Sequence, residues 1–353
     1  MHRNCIAGVL LSCLIAVGCA YAQSALLDLP RESQHAIVTQ RVGVTDITIN
    51  YHRPLVKGRQ VWGALVPYGE VWRAGANENT TITFSDPVAI EGKPLAAGTY
   101  GLHMIPKGNE WTVIFSKMAS AWGSFTYDEK EDALRVTAKP QTADFHEALT
   151  YDFDQPKADS AVVTMRWEKV AVPFTVGVDV HEAVDRSLHR QMRGLPQYTW
   201  DGWDDAANYW IAEKTNYDQA LKYADESLKI EERFDNLMTK SRALDGMGKK
   251  TEATTLRDKA LEKANSIQLY GYARQLQRDK KQDEAFAIYR TGYKKYPNDW
   301  ISHAGMARIY CSQSDFDQAV KEMQLAQDGA PEQAKNQVGG LVKRLQNKED
   351  INK

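Results

Sequence analysis

Tyr217-Asp218-Gln219-Ala220, Lys250-Thr251-Glu252-Ala253, Gln282-Asp283-Glu284-Ala285 and Phe316-Asp317-Gln318-Ala319 carry one pattern four times, with the alanines 33, 32 and 34 residues apart. A period near 34 with a small residue at a fixed place is the mark of stacked helix pairs. Other offsets agree. Seven residues after each alanine stand Ser227, Ala260, Gly292 and Ala326, all small, and twelve before stand Asn208, Ser241, Ala273 and Ala307. Nine before are Ile211, Leu244, Leu276 and Tyr310, all apolar. Small residues let two helices approach, and larger ones fill the seam. Pro297 and Pro331 close the last two units. Gln333 to Asn347 then reads as a terminal helix that covers the exposed end of the stack.

This pattern resembles the tetratricopeptide repeat, with four units over residues 200 to 331 and the repeat domain spanning 200–348. The resemblance implies a concave face that holds a protein or peptide. On that face, eleven residues before each key alanine, stand Tyr209, Arg242, Arg274 and Arg308, with Arg278 one turn beyond Arg274. Guanidiniums lining one groove would suit a carboxylate-bearing or acidic segment. The competing reading is a solvated face in which these arginines pair with Asp245 or Asp279.

Before the repeats, residues 30–176 alternate short β-prone runs with turn signals, the pattern of an all-β sandwich. Ile47, Ile49 and Tyr51 alternate with Thr48 and Asn50, which predicts one buried and one wet face. Two separate strands are expected over Val162–Trp167 and Val170–Val176. Residues 178–199 read as a helix and linker, with Asp179 as the N-cap. The fold class is therefore an N-terminal β-sandwich followed by an α-solenoid.

The stretch from Tyr51 to Thr80 is long for a loop in a compact domain, and such loops are often functional. It gathers Trp62, Tyr68 and Trp72 with Arg53, Lys57, Arg59, Arg73, Glu70 and Glu78. RPLVKGRQVWGALVPYGEVWRAGANENTTITFS (from Arg53), IEGKPLAAGTYGLHMIP (from Ile90) and WTVIFSK (from Trp111) resemble the domain of unknown function 2911 family. The resemblance implies a secreted β-rich domain, often joined to tetratricopeptide-like repeats, with no established activity. Its signature positions are Arg53, Lys57, Gly58, Arg59, Gly69, Glu70, Trp72, Arg73, Gly75, Ala76, Asn77 and Glu78. His103 stands where the family usually has an aromatic or small residue.

Three readings of this loop compete. Arg53, Lys57, Arg59, Glu70, Trp72, Arg73, Asn77, Glu78 and His103 could form a site for a small polar or glycan ligand, with donors for oxygen and an aromatic face for a ring. Alternatively, Glu70, Arg73, Asn77 and Glu78 form a satisfied network that pins the loop while the tryptophans cover the sandwich. A hydrolase-like site would instead need an acid–base pair among Glu70, Glu78 and His103.

The first 22 residues read as a cleaved export signal: His2 and Arg3, an apolar run from Ile6 to Val17, then Ala20-Tyr21-Ala22. That run is too short for a stable transmembrane span. A lipid anchor at Cys19 competes, because Val17-Gly18-Cys19 loosely matches a lipobox. The expected location is periplasmic or secreted. Cys311 is the one cysteine beyond this segment, so no internal disulfide is expected. Across 353 residues the net charge is −2, which favours neither nucleic acid nor an anionic membrane. No G-x-S-x-G or H-E-x-x-H motif occurs. His181, Asp185 and His189 share a helix face, the nearest approach to a metal site. No cofactor or metal is expected.

Overall fold

The computed structural model describes residues 30–352; the expected export signal and Cys19 lie outside them. The chain divides into two compact units at Val184/Asp185.

The first unit begins with a hairpin of β1 (Gln34–Val42) and β2 (Thr45–Arg53). Next come β3 (Thr81–Phe84), β4 (Val88–Ile90), β5 (Lys93–Leu95), β6 (Gly98–Ile105) and β7 (Trp111–Ser116). Then follow β8 (Asp132–Ala138), β9 (Gln141–Asp154) and β10 (Ser160–Gly177). They form two antiparallel sheets, ordered β1-β2-β3-β6-β7-β8 and β5-β4-β10-β9. The β2 alternation holds: Ile47, Ile49 and Tyr51 are buried while Thr48 and Asn50 face outward. They meet Val163, Met165, Trp167 and Phe174 of β10 in one core.

Two features differ from the sequence expectation. The strands expected on either side of Glu168-Lys169 are one long β10, with register shifts on both sides of Glu168. Glu168 takes a φ of 56°, so the bulge absorbs the charged pair without ending the strand. The short β4–β5 hairpin was not anticipated. Its turn, Glu91-Gly92, has φ of 49° and 77°, a left-handed pair that matches strand twist.

The long loop is stitched into the unit at three places. Isolated bridges join Leu55 to Ala148, Trp62 to Val66, and Trp72 to Met104. Trp62 lies 4.8 Å from Trp111 and 5.7 Å from Trp167, while Trp72 stacks on Trp167 at 5.8 Å. Trp62 and Trp72 are partly buried and pack against the sandwich core, but the polar network expected of Glu70, Arg73, Asn77 and Glu78 does not form among the described residues: Glu78 pairs with Arg31, Asn77 reaches the Ser33 carbonyl and Glu70 is exposed.

Helix α1 (Val180–Gln191) follows, and the Asp179 carboxylate accepts from the Glu182 backbone N–H at 3.0 Å. The second unit contains the pairs α2 (Trp200–Ala212) with α3 (Tyr217–Ile230), and α4 (Phe234–Gly246) with α5 (Lys250–Lys263). Next come α6 (Ser266–Arg278) with α7 (Gln282–Lys295), α8 (Trp300–Ser312) with α9 (Phe316–Gly329), and a last α10 (Glu332–Gln346). Ala220, Ala253, Ala285 and Ala319 are all buried, as are Ser227, Ala260, Gly292 and Ala326. The periodic small residues are thus the contact points of an array of tetratricopeptide-like helix pairs. Caps mark the boundaries: Asn265 and Gln268 exchange side-chain hydrogen bonds with each other's backbone at the start of α6.

Candidate functional site

In the first unit the signature side chains separate into tied and free groups. Arg53 donates to the Leu149 carbonyl at 2.9 Å and to Thr150 Oγ1 at 2.8 Å, fastening the end of β2 to β9. Lys57 pairs with Glu32, and its backbone N–H reaches Glu147 Oε1 at 2.9 Å. Arg59 donates to the carbonyls of Val56 and Leu55, closing its own turn. Trp72 Nε1 reaches the Gly75 carbonyl at 3.2 Å, and Asn77 donates to the Ser33 carbonyl at 3.4 Å. Arg31 grips both oxygens of Glu78, at 2.5 and 2.7 Å, and His52 Nδ1 lies 3.5 Å away. Partial burial pushes the Glu78 carboxyl up, but the Arg31 hydrogen bond and the nearby charges outweigh it and hold the pKa below its usual value.

The three groups named for acid–base chemistry keep separate company. Glu70 is exposed. Glu78 faces Arg31 and His52. His103 is 2% exposed, with Nδ1 2.9 Å from Ser124 Oγ and its ring 5.4 Å from that of Tyr127. Burial lowers the His103 pKa to about 4, against the pull of Asp132. Among the described residues no hydrogen bond or ion pair links Glu70, Glu78 and His103 to one another.

Arg73 stands apart from the other cations. It makes no hydrogen bond or ion pair among the described residues, its Nε is buried without an acceptor, and desolvation lowers its pKa. It lines a cavity of about 230 Å³ together with Lys57, Arg59, Trp72 and Trp167. The indole Nε1 of Trp167 is buried without an acceptor too. Gly123 closes over the guanidinium, with a φ of 68° and no room for a Cβ beside Arg73 Nη1. The sequence reading missed Trp167 and Gly123. Trp167 was taken only as a strand residue, and nothing marked Gly123.

In the second unit the four residues at the eleven-back offset take different roles. Tyr209 packs edge-on against Trp210 at 4.9 Å. Arg242 donates to Asn208 Oδ1 at 2.8 Å, and Asn208 in turn donates to Asp204 at 2.9 Å. Arg274 bonds Gln277 at 2.7 Å, and Arg278 bonds Gln275 at 2.6 Å. Arg242 and Arg278 line one hollow of about 710 Å³ with Arg257, Asp235, Asp245 and Asp279, which leaves it mixed in charge. Arg308 is elsewhere, buried, donating from Nε to the Tyr270 hydroxyl at 2.8 Å. The single guanidinium stripe suggested by the spacing is therefore divided. Pairing with Asp245 or Asp279 does not explain it either: Asp245 holds Lys250, and Asp279 accepts from Gln275.

What covers Arg308 is the chain itself. Residues 349–352 leave α10 and cross α8 toward α6. Arg344 donates to the Asp350 carbonyl at 2.7 Å, and the Ile351 N–H meets Cys311 Sγ at 3.5 Å. Arg308 Nη1 donates to the Ile351 carbonyl. Asn352 bridges two helices, donating to the Arg308 carbonyl at 3.0 Å and accepting from Gln277 at 2.9 Å. Ile351 is 1% exposed, packed among the residues around Ala304, Ala307 and Cys311. Ile351 was legible in principle, as one aliphatic in an otherwise polar tail, but was not singled out.

Other chemistry is sparse. Among the described residues no group of three or more His, Cys, Asp or Glu side chains is placed to hold a metal. His189 Nδ1 turns to the Asp185 carbonyl at 2.8 Å. No helix among the described residues is long and apolar enough to cross a membrane.

The fold and these sites define a two-part protein: an antiparallel β-sandwich joined to a tetratricopeptide-like helical array. Residues 33–176 match the family described as a protein of unknown function, DUF2911. No curated protein matches the sequence. Among solved structures, the chain is similar to the APC/C hetero-tetramer Cut9–Hcn1 at 12% identity and a TM-score of 0.28, covering 41% of this chain and 28% of that one. It is also similar to YrrB, described as a TPR protein with an unusual peptide-binding site. There the identity is 12% and the TM-score 0.27, over 47% of this chain and 86% of that one.

Proposed function

We propose that this protein is an exported, non-catalytic binding scaffold whose helical unit holds an extended segment of a partner protein, while the β unit takes a small polar ligand. One observation carries the first part. Helices α6 and α8 already hold a short non-helical segment, residues 349–352, through a buried aliphatic side chain and hydrogen bonds to its backbone and amide. That is the chemistry by which a groove reads an extended chain: main-chain bonds for affinity, one pocket for register. The segment Glu349-Asp350-Ile351-Asn352 then serves as an internal occupant that a partner of similar character displaces.

The test uses a labelled peptide of residues 346–353 and the chain shortened to end at Lys348. Fluorescence polarisation should report saturable binding to the shortened chain and weaker binding to the intact one, where the tail competes as a tethered ligand. Equal binding to both, or to neither, contradicts the proposal. Export rests on the first 22 residues, and N-terminal sequencing of the mature protein tests it. A start at Gln23 supports a free protein, and a lipid-modified Cys19 supports an anchored one.

A further inference from the structure

The cavity beside Arg73 carries an excess of positive charge. Its charged lining is Lys57, Arg59 and Arg73 against Glu32 alone, so two positive charges are left over. Lys57 spends its charge on Glu32. Arg59 is anchored through Nε and Nη2 to the Val56 and Leu55 carbonyls, which are dipoles and cancel no charge. Arg73 has its Nε enclosed, but its two terminal nitrogens keep accessible surface and have no partner among the described residues. A cleft lined by one sign of charge focuses its field and concentrates counter-ions there.

The turn that follows Arg73 adds donors. The Ala74 carbonyl accepts from Thr80 Oγ1 at 3.2 Å and from the Tyr151 hydroxyl at 2.9 Å, and the Gly75 carbonyl accepts from Trp72 Nε1 at 3.2 Å. These carbonyls are spent on the interior. The N–H groups are not: among the described residues, none from Arg73 to Asn77 donates to a main-chain carbonyl. Ala74 and Asn77 take φ of 50° and 59°, the left-handed conformation that turns successive N–H groups into a concavity for an anion. Gly75 and Ala76 line the cavity, and Gly75 can present main chain only. Left-handed alanine is strained, and strain of this kind gathers where a loop presents its backbone to a ligand.

We infer that this cavity binds a tetrahedral dianion, a phosphate or sulfate group, seated against Arg59, Arg73 and the turn from Arg73 to Asn77. The inference rests on the reading of the β unit as a ligand-binding domain and names its ligand class. The leftover charge of the lining matches two negative charges, not one. Donors of two kinds, guanidinium and main-chain N–H, meet at one cavity, and that combination suits several oxygens on one centre better than the flat edge of a carboxylate. A volume of about 230 Å³ lies below the range of drug-sized pockets, so such a group enters with at most a small organic remainder. Trp72 lines the same cavity and gives that remainder an apolar wall.

The experiment is a calorimetric titration of the intact chain, at fixed ionic strength in chloride, with sulfate, inorganic phosphate, phenyl phosphate, methanesulfonate, succinate and glucose. Sulfate and phosphate should bind saturably. Methanesulfonate, a tetrahedral group with a single charge, should bind at least about tenfold more weakly, the effect of one lost charge-assisted contact. Phenyl phosphate binding tighter than phosphate assigns the site to an ester, and weaker binding assigns it to the free ion. Arg59→Gln and Arg73→Gln should each weaken sulfate binding at least about tenfold. Glu32→Gln removes the one acid of the lining and should tighten sulfate binding roughly threefold, a gain that misfolding does not produce. Methanesulfonate binding as tight as sulfate overturns the inference, as does sulfate binding that none of the three substitutions changes. Succinate or glucose binding where sulfate does not would sink the dianion while leaving a small polar ligand in the β unit. No binding by any compound would sink both.

Discussion

The guanidinium of Arg308 is hydrogen-bonded at one nitrogen to the Tyr270 hydroxyl and at another to the main-chain carbonyl of Ile351. A buried arginine whose partners are a phenol and a peptide carbonyl is held by dipoles, not by a carboxylate. Burying such a charge is unfavourable unless these bonds stay closed. The tail and the arginine therefore depend on each other. Arg308→Ala should release residues 349–352 and expose Cys311. Thiol labelling of Cys311 should speed up by an order of magnitude or more, and an unchanged rate would separate the tail from the arginine.

Arg53 and Arg73 lie in the same loop-bearing unit and should respond oppositely. Arg53 closes hydrogen bonds to Leu149 and Thr150. Arg53→Met should cost about 1–3 kcal/mol, measured as a fall in Tm of the first unit's transition. Arg73 is a half-buried cation with no partner among the described residues, so Arg73→Met should leave that transition unchanged or raise it. A loss on Arg73→Met as large as that on Arg53→Met would mean that Arg73 holds the fold.

His103 gives the β unit a pH response of known sign. Its folded pKa is lowered to about 4 from an ordinary 6.5. The unfolded chain takes the proton first as pH falls, so stability is fully present above pH 6.5 and declines from there toward about 4. The interval of about 2.5 units corresponds to roughly 3 kcal/mol. His103→Gln keeps a polar partner for Ser124 and should flatten that part of the stability curve. Urea unfolding at pH 7, 6, 5 and 4 for both proteins checks it, and parallel curves would contradict the assignment.

Two glycines of the helical unit should differ sharply. A Cβ at Gly305 would lie 2.7 Å from Tyr289 Cδ1, closer than atoms pack, and Tyr289 is itself buried. At Gly292 the nearest neighbour is Leu269 at 3.7 Å, an ordinary contact. Helix propensity favours alanine at both by about 1 kcal/mol. Gly292→Ala should therefore raise Tm, and Gly305→Ala should lower it, since overpacking costs about 1–3 kcal/mol. The same sign for both would show that the Tyr289 ring moves aside freely.

The helical unit was readable because its constraint is periodic: Ala220, Ala253, Ala285 and Ala319 must each be small where two helices touch, and spacing displays that directly. The β alternation at Ile47, Ile49 and Tyr51 was readable for a similar reason. The β10 bulge was not, because Glu168-Lys169 has the composition of a turn and only pairing with β9 shows that the strand continues. At the candidate sites, chemistry was visible but commitment was not. Arg53, Arg59 and Arg73 look alike in sequence, yet the first two are spent on Leu149, Leu55 and Val56 while Arg73 is left over. The Tyr209–Arg242–Arg274–Arg308 offset picked equivalent positions on successive helices, but it could not show that Arg308 lies beneath Ile351.

The most direct test of a helical array already occupied by residues 349–352 is hydrogen exchange at the Ile351 amide in the intact chain. Its N–H faces Cys311 Sγ, and its side chain is enclosed. The account predicts exchange at least about a hundredfold slower than in the free peptide of residues 346–353, as for an amide that opens only with local unfolding. Exchange at the free-peptide rate would place the tail in solvent and contradict it.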